Sequence, residues 1–331
     1  MSSKPAILVV GGAGYIGSHT TLALAEAGYE VVIYDNFSRG HREACFDFDV
    51  VEGELADEDR LAAVLGDRDI SCIVHFAALI EAGQSVVDPL AFYRNNVAAT
   101  LALLGAMKAA GATRIVFSST AAVYGNADEE SLGEDLPMAP INPYGHSKAM
   151  VETILASVAR ADGVRALALR YFNAAGADPL CRSGERHDPE THLIPLTIQA
   201  ARGLRPEIRI FGTNYPTPDG TCIRDYVHVV DLAAGHVAAV EALLRQEAPG
   251  FASVNLGTGS GYSVREVIDM VRSVSGREFP VIAEAARPGD PARLIADPSR
   301  AKALLGWQTH RSDLKTIVED AWRFHEASYM T

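Results

Sequence analysis

A strand, a glycine-rich turn, a helix and a second strand fill the first 35 residues and constrain the fold more than any other segment. Ala6–Val10 is an apolar run typical of a β-strand, and glycines follow at positions 11, 12, 14 and 17. A helical pattern covers Ile16–Ala27, strand residues cover Glu30–Tyr34, and Asp35 stands at the end of this second strand. Glycines in this context allow a tight turn and bring a pyrophosphate close to a helix N-terminus. The segment therefore predicts a dinucleotide-binding turn rather than a glycine-rich turn without a ligand.

The carboxylate of Asp35 indicates which dinucleotide binds. It follows Gly17 by 18 residues, where an acid accepts a hydrogen bond from a ribose 2′-hydroxyl and repels a 2′-phosphate. Arg39 and Arg42 argue the other way, because a guanidinium group binds a phosphate well. We expect Asp35 to dominate, so the sequence predicts tightly bound NAD.

Strand and helix patterns alternate through the first half of the chain. Ser71–Phe76, Thr113–Ser118 and Arg165–Leu169 are apolar runs with the character of buried strands. Pro89–Ala110 and Tyr144–Asp162 have the length and pattern of helices. This alternation predicts an α/β fold with a doubly wound parallel sheet.

The pattern changes after Asn173. Ala174–Glu190 is rich in Gly, Pro and charge, which is typical of a linker or active-site loop. Beyond it, Leu193–Arg202 favours a helix and Ile208–Phe211 a short strand. A chain of 331 residues suggests two domains. We expect a Rossmann-like NAD-binding domain over residues 1–174 and a smaller mixed α/β domain over residues 175–331, with some segments crossing between them.

Charge and composition exclude several classes of partner. The formal net charge of −13 disfavours nucleic acid and anionic membranes as partners. No run of 18 apolar residues occurs, and the N-terminus has no signal-peptide layout. The four cysteines form no CxxC pair, which suits reduced thiols. We therefore expect a soluble cytoplasmic protein.

A second constellation indicates acid–base chemistry. Ser118-Ser119-Thr120 ends a predicted strand, at the sheet edge where ligands of α/β proteins bind. Tyr144 and Lys148 are four residues apart and so share one face of a predicted helix. A nearby ammonium, like a cationic nicotinamide ring, would favour the phenolate of Tyr144, and Thr120 could share the substrate proton. A half-buried tyrosine beside a solvated lysine is the structural alternative, and the dinucleotide turn upstream favours the catalytic interpretation.

These motifs resemble those of a known family. Gly11-x-x-Gly14-x-x-Gly17, Ser118-Ser119-Thr120 and Tyr144-x-x-x-Lys148 resemble the extended short-chain dehydrogenase/reductases. Ten segments between residues 11 and 292 resemble the UDP-glucose 4-epimerases of that family: GGAGYIGSH, YDNFSRG, HFAALIEAGQS, SSTAAVYG, NPYGHSK, LRYFNAAGA, THLIPL, DGTCIRDYVHV, NLGTG and RPGDPA.

The resemblance implies a redox-neutral isomerase that interconverts UDP-glucose and UDP-galactose. Tyr144 would take the proton of the sugar 4′-hydroxyl while NAD takes the 4′-hydride. The hydride would then return to the other face of a transient 4-keto sugar. The resemblance also implies a homodimer built on the helices near Pro89–Ala110 and Tyr144–Asp162, which are rich in alanine.

The resemblance further implies the residues of the site, with Tyr144, Lys148 and Thr120 catalytic and no metal ligand. The implied contacts with NAD are Gly11, Gly14, Tyr15, Ile16, Gly17, Asp35, Asn36, Glu54, Leu55, Phe76, Ala77, Ala78, Asn95, Ser118, Tyr144, Lys148 and Tyr171. The implied contacts with the UDP-sugar are Thr120, Tyr144, Asn173, His192, Leu193, Arg209, Phe211, Arg224, Arg287, Asp290 and Leu294. In this assignment Arg224 and Arg287 clamp the diphosphate, to which guanidinium groups make forked bonds.

Four positions depart from the family pattern. Glu54 stands where an Asp often contacts adenine, and Ile80 where several relatives carry a Lys near the pyrophosphate. His192 stands where some relatives use an Asn on the nucleotide sugar. Leu294 replaces a Tyr of the hexose pocket but is larger than the Cys or Ser expected where an acetamido group fits. We therefore expect UDP-glucose and UDP-galactose to be preferred over UDP-N-acetylhexosamines.

An NAD-dependent epimerase of another UDP-sugar stays an open alternative, and so do two functions other than epimerisation. Nucleotide-sugar 4,6-dehydratases or decarboxylases on the same fold typically carry an acid just after the Ser/Thr, where this chain has Ala121 and Ala122. A non-catalytic dinucleotide-sensing regulator often lacks the Tyr/Lys pair, which this chain keeps. The product formed from UDP-galactose distinguishes the three.

Overall fold

A computed structural model describes residues 5–127, 129–287 and 289–327 of the chain. The N-terminal residues 1–4, where no signal-peptide layout was expected, and Pro288 of the RPGDPA segment lie outside the described residues. The strands are β1 Ala6–Val10, β2 Glu30–Asp35, β3 Asp49–Glu52, β4 Ile70–His75, β5 Arg114–Thr120, β6 Arg165–Tyr171, β7 Asn173–Ala175, β8 Ile208–Phe211, β9 Ile223–Arg224, β10 Tyr226–His228, β11 Phe251–Leu256, β12 Tyr262–Ser263, β13 Val281–Glu284 and β14 Arg293–Leu294. The α-helices are α1 Tyr15–Glu26, α2 Glu58–Asp67, α3 Ala82–Val87, α4 Pro89–Tyr93, α5 Ala99–Ala110, α6 Pro143–Asp162, α7 Leu193–Ala201, α8 Val229–Leu244, α9 Val264–Ser275, α10 Ser299–Leu305 and α11 Leu314–Ala327.

Seven parallel strands form the central sheet, in the order β11-β6-β5-β4-β1-β2-β3. The strand order reverses between β1 and β4, so the crevice of a doubly wound sheet opens there. Both faces of the sheet are covered. Ala6, Leu8 and Val10 of β1 belong to one apolar core, and Ile7 and Val9 belong to a second core on the opposite face. The predicted fold class is confirmed.

The segment predicted as one helix over Pro89–Ala110 is interrupted, and that prediction is wrong in this respect. A π-helical turn over Arg94–Ala98 separates α4 from α5. Its wider turn places Asn96 in the interior, where the side chain accepts from the backbone N–H of Leu79 at 2.8 Å and donates to the Ser147 hydroxyl at 3.0 Å. The loop after β4 is thereby tied to α6, a use typical of π turns near functional sites.

The second half of the chain contributes to both parts of the molecule. The helices α7, α9 and α11 pack with β8 around a separate apolar core. However, α8 packs against α1, and β11 pairs with β6 at the edge of the large sheet. That residues 1–174 bind NAD and residues 175–331 bind the nucleotide sugar stays a prediction. Among the described residues, no helix has both the length and the apolar character needed to cross a membrane.

Candidate active site

A cleft of about 680 Å³ opens at the carboxyl ends of the central strands, over the point where the strand order reverses. Its wall contains nineteen of the residues proposed from the sequence: Gly11, Gly14, Tyr15, Ile16, Gly17, Asp35, Asn36, Glu54, Leu55, Phe76, Ala77, Ala78, Asn95, Ser118, Thr120, Tyr144, Tyr171, Asn173 and His192. Ile80, one of the departures noted above, lines the same cleft. The geometry therefore brings both predicted constellations to one place.

The glycine turn is shaped for close approach. Gly11 has φ +82°, and a Cβ there would lie 2.5 Å from the backbone nitrogen of Ala77. A Cβ on Gly17 would lie 2.2 Å from the carbonyl oxygen of Gly11, so α1 packs on the turn only because this residue is glycine. Gly14, by contrast, meets nothing closer than 3.5 Å and is the N-cap of α1, which no side chain caps. The helix N-terminus is thus open to an anion in the cleft.

Backbone donors hold Asp35 in place. One oxygen of its carboxylate accepts from the N–H of Ala13 at 2.9 Å and the other from the N–H of Phe37 at 2.8 Å. Burial raises the pKa of Asp35, while these backbone bonds oppose the rise. The neighbouring Asn36 donates to the Glu54 carboxylate at 2.9 Å, so a second acid stands at the same end of the cleft.

The two arginines that argued for a 2′-phosphate have other partners. Arg39 lines the cleft, but its guanidinium donates to the carbonyl oxygen of Asp188 at 2.9 Å and lies 3.6 Å from the carboxylate of Glu81. Arg42 is paired with Glu52 and stacks on the Phe37 ring. Both guanidinium groups are therefore already bound by other groups, which weakens the case for a 2′-phosphate in the cleft.

The start of α6 presents Tyr144 to the cleft. Asn142 is the N-cap and accepts from the N–H of Gly145 at 2.9 Å, and Pro143 occupies the first turn. Burial raises the pKa of Tyr144 to about 12, and a hydrogen bond with Thr120 acts in the opposite direction. In this arrangement Tyr144 is a neutral phenol at neutral pH.

Lys148 lies one helical turn after Tyr144 and is buried behind the cleft wall. Its ammonium donates to the carbonyl oxygen of Ser118 at 2.8 Å and is 4.9 Å from the centre of the Phe117 ring. Burial lowers the pKa of Lys148 to about 7, while the negative charge of Glu152 acts in the opposite direction and raises it. The Lys148 ammonium is thus bound at the end of β5 rather than to the phenol oxygen.

Sequence reasoning missed a buried polar network beneath α6. Glu152 forms an ion pair with Arg170 of β6 at 2.6 Å, and both side chains are almost completely buried. Arg170 also donates to the Tyr124 hydroxyl at 3.0 Å, and Tyr124 donates to Asn255 of β11 at 2.7 Å. The available signal was spacing, because Tyr144, Lys148 and Glu152 recur every four residues along one helix face.

Four further candidates form a group beside the cleft rather than within its wall. Arg224 of β9 is paired with the carboxylate of Asp290, and the Arg287 guanidinium lies 4.0 Å from the centre of the Phe211 ring. The cleft residue Asn173 donates its backbone N–H to the carbonyl oxygen of Asp225, the residue after Arg224, at 2.9 Å. The Arg224–Asp290 pair therefore adjoins the cleft through β7, and the backbone N–H of Asp290, which donates to the carbonyl oxygen of Arg287 at 3.2 Å, joins the second pair to it.

The remaining sugar-side candidates have separate environments. Leu294 pairs with Arg224 between β14 and β9 and packs on the small apolar cluster that also holds Phe172 of the cleft wall. Leu193 begins α7 and packs on the core of the second part. Arg209 is half-exposed and is bound by the carboxylates of Glu207 and Glu284 at 2.8 and 3.2 Å. These three do not line the cleft.

Comparison with known proteins places these features in a family. The chain matches the model of the NAD dependent epimerase/dehydratase family over residues 7–257. A relative from Rhizobium leguminosarum bv. trifolii, named UDP-glucose 4-epimerase, is 50% identical over 322 residues, which are 97% of this chain and 98% of the relative.

Two solved structures are similar over almost the whole chain. UDP-glucose 4-epimerase from Brucella ovis in complex with NAD has a TM-score of 0.93 and 48% identity, covering 96% of this chain and 98% of that one. The enzyme of the same name from Stenotrophomonas maltophila, with bound NAD and formylated UDP-arabinopyranose, has a TM-score of 0.95 and 38% identity, covering 98% and 99%.

Proposed function

We propose the function from one premise: the chain belongs to the NAD dependent epimerase/dehydratase family. It is an NAD-dependent isomerase that inverts C4 of a UDP-hexose and so interconverts UDP-glucose and UDP-galactose. The observation that carries this conclusion is that Tyr144 and Thr120 share one cleft with the glycine turn. The reaction is a step of galactose metabolism, and the four unpaired cysteines suit the cytoplasm, where we propose that the enzyme works.

The residues present fit NAD at both ends. The open N-terminus of α1 at Gly14 suits the pyrophosphate, and the fixed carboxylate of Asp35 suits a ribose hydroxyl. The Asn36–Glu54 pair would contact the adenosine end, and Asn95 would contact the phosphates or the active-site loop. When bound, NAD supplies a hydride acceptor that is restored within each turnover.

We propose that Tyr144 handles the proton. Its phenol oxygen, hydrogen-bonded to Thr120, takes the proton of the 4′-hydroxyl and returns it after the 4-keto sugar has turned in the cleft. Because burial holds the pKa of Tyr144 near 12, the phenolate that accepts this proton forms only beside a positive charge. Lys148, fixed on the Ser118 carbonyl, contributes positive charge one turn away and would also orient the cofactor ribose.

We propose that the group beside the cleft binds the nucleotide of the sugar. Arg224 and Arg287 would take the diphosphate, with Phe211 against the uracil and Asp290 on its ribose. Binding would then require Arg224 to share its contact with Asp290. The other proposed sugar-side contacts are Asn173, His192, Leu193, Arg209 and Leu294.

We also propose a homodimer, supported by an exposed apolar face on α4, α5 and α6. Leu90, Leu101 and Met150 are 62%, 49% and 45% exposed. A face of this kind on a water-soluble protein favours a partner. Leu101→Glu should convert the dimer to a 35.3 kDa particle in light scattering, whereas Leu204→Glu, at an exposed leucine outside this face, should not. A monomeric parent protein at micromolar concentration would contradict the proposal.

The test of the function is the product formed from UDP-galactose. We expect the purified protein to convert it to an equilibrium mixture with UDP-glucose, without added reductant. An accumulating keto product would favour a dehydratase, and no conversion by NAD-loaded protein would favour a sensing role.

A further inference from the structure

The loop between β7 and α7 repeats a Glu-x-His pattern at an interval of five residues, as Glu185-x-His187 and Glu190-x-His192. The structure brings one ligating atom from each of the four side chains within 4.8 Å of the others. Nδ1 of His192 lies 2.9 Å from carboxylate oxygens of both Glu185 and Glu190. Nδ1 of His187 lies 3.2 Å from Glu185 and 3.9 Å from Glu190. The Nδ1 atoms of both histidines thus face oxygens of both carboxylates within one small cluster.

These separations match a metal centre. Ligands at zinc bond lengths of about 2.0–2.2 Å in a tetrahedron are about 3.3–3.6 Å apart. The four nitrogen–oxygen separations, 2.9, 2.9, 3.2 and 3.9 Å, lie on both sides of that range, with one oxygen of Glu190 facing His192 and its other oxygen facing His187. Imidazole and carboxylate are ligands that zinc accepts.

The charge of the cluster also requires a cation. The side chains of Glu185 and Glu190 are only 6% and 7% exposed. Within the described part of the chain, neither carboxylate has an ion pair with Arg or Lys. Glu190 also accepts from the backbone N–H groups of Thr191 and His192, each at 2.8 Å. These bonds carry no net charge, so two buried carboxylates still need positive charge, which a divalent ion or two imidazolium groups would supply.

The orientation of His187 favours the ion over two imidazolium groups. Its Nδ1 is buried and has no hydrogen-bond partner among the described residues, although a carboxylate oxygen of Glu185 is 3.2 Å away. An imidazolium would direct its N–H along that contact. A neutral imidazole bound to a metal instead directs its lone pair at the common centre.

We propose that Glu185, His187, Glu190 and His192 bind one divalent transition-metal ion, for which zinc is the best match. Four protein ligands leave no open position, so the ion is structural rather than catalytic. It fixes the loop that carries the cleft residues Glu185 and His187 and whose Asp188 carbonyl accepts from Arg39. This assignment gives His192 a role other than contact with the nucleotide sugar.

The experiment measures metal in the NAD-loaded enzyme. Untagged protein is incubated with Zn²⁺, freed of loose metal by gel filtration, and analysed by mass spectrometry. We expect about one ion per chain. Replacement by Co²⁺ should give the intense visible absorption of a four-coordinate site, and EDTA should remove the ion and lower the melting temperature. Less than a small fraction of an ion per chain, with no effect of EDTA, would overturn the proposal in favour of an imidazolium–carboxylate network.

Variants locate the ion. His187→Ala and Glu190→Gln should lose the bound metal and the effect of EDTA on melting, whereas His310→Ala, at an exposed histidine, should retain both. Full metal content in both ligand variants would place the ion elsewhere and contradict the assignment. If the variants fail to fold, the Co²⁺ spectrum of the wild-type enzyme still decides. Conversion of UDP-galactose is scored separately, so failure of the metal site leaves the epimerase assignment unaffected.

Discussion

Replacing Lys148 by methionine should stabilise the protein while it abolishes turnover. Lys148 as a whole residue is 2% exposed, and burial lowers its pKa from 10.5 to about 7. At 1.36 kcal/mol per unit, the charge costs about 4 kcal/mol of folding free energy at neutral pH. The methionine variant loses the bond to the Ser118 carbonyl, which is worth about 1–3 kcal/mol. We therefore expect Lys148→Met to be about 1–3 kcal/mol more stable at pH 7.

The sign of the pH dependence follows from proton counts. Between the folded pKa near 7 and the unfolded value of 10.5, the unfolded chain binds more protons at Lys148 than the folded chain does. The stability of the wild type therefore rises with pH across this window, and the variant lacks that contribution. The difference in unfolding free energy should shift in favour of the wild type by about 1 kcal/mol per pH unit between about pH 7.5 and 8.5.

Urea denaturation followed by tryptophan fluorescence measures the effect, with NAD removed from both proteins so that cofactor affinity does not enter. Lys108→Met is the matched control, because Lys108 is 71% exposed and makes only a surface ion pair with Asp162. We expect this control to follow the wild type at every pH. Parallel pH curves for Lys148→Met and the wild type, or a variant less stable at pH 7, would refute the reasoning.

Three further variants test the site. Tyr144→Phe should bind UDP-sugar normally and lose about 10²–10⁴-fold in kcat, since only the ionisable hydroxyl is removed; unchanged kcat would remove Tyr144 from catalysis. Gly17→Ala should purify without NAD, because its Cβ would lie 2.2 Å from the Gly11 carbonyl, whereas Gly66→Ala, with nothing within 4 Å, should retain NAD; equal NAD content would contradict the role of the turn. Leu294→Ser should raise kcat/KM for UDP-N-acetylgalactosamine relative to UDP-galactose by about 10-fold, and no change would show that Leu294 does not limit sugar size.

Local sequence predicted the elements whose signals are contiguous. The glycine turn, α1 and β2 need only neighbouring residues to define them, and the central strands are apolar because both faces of the sheet are covered. The spacing of Tyr144 and Lys148 likewise predicted that both would lie on one face of α6. The hydrophobic periodicity did not predict that the Pro89–Ala110 helix is interrupted. The π-helical turn depends on the hydrogen bonds that Asn96 makes with residues distant in the chain.

The sequence alone determined the α/β class and the residue types for a dinucleotide and for proton transfer, since each depends on short-range spacing. Only the tertiary structure decided that β11 completes the sheet and that Lys148 donates to Ser118. Only the tertiary structure formed the buried ion pair between Arg170 and Glu152. It also brought the ligating atoms of the two Glu-x-His pairs within 4.8 Å of one another. These features join residues distant in the chain or set by the path of a loop. Burial and partner choice, which govern pKa values and ion binding, therefore arise only when the chain is packed.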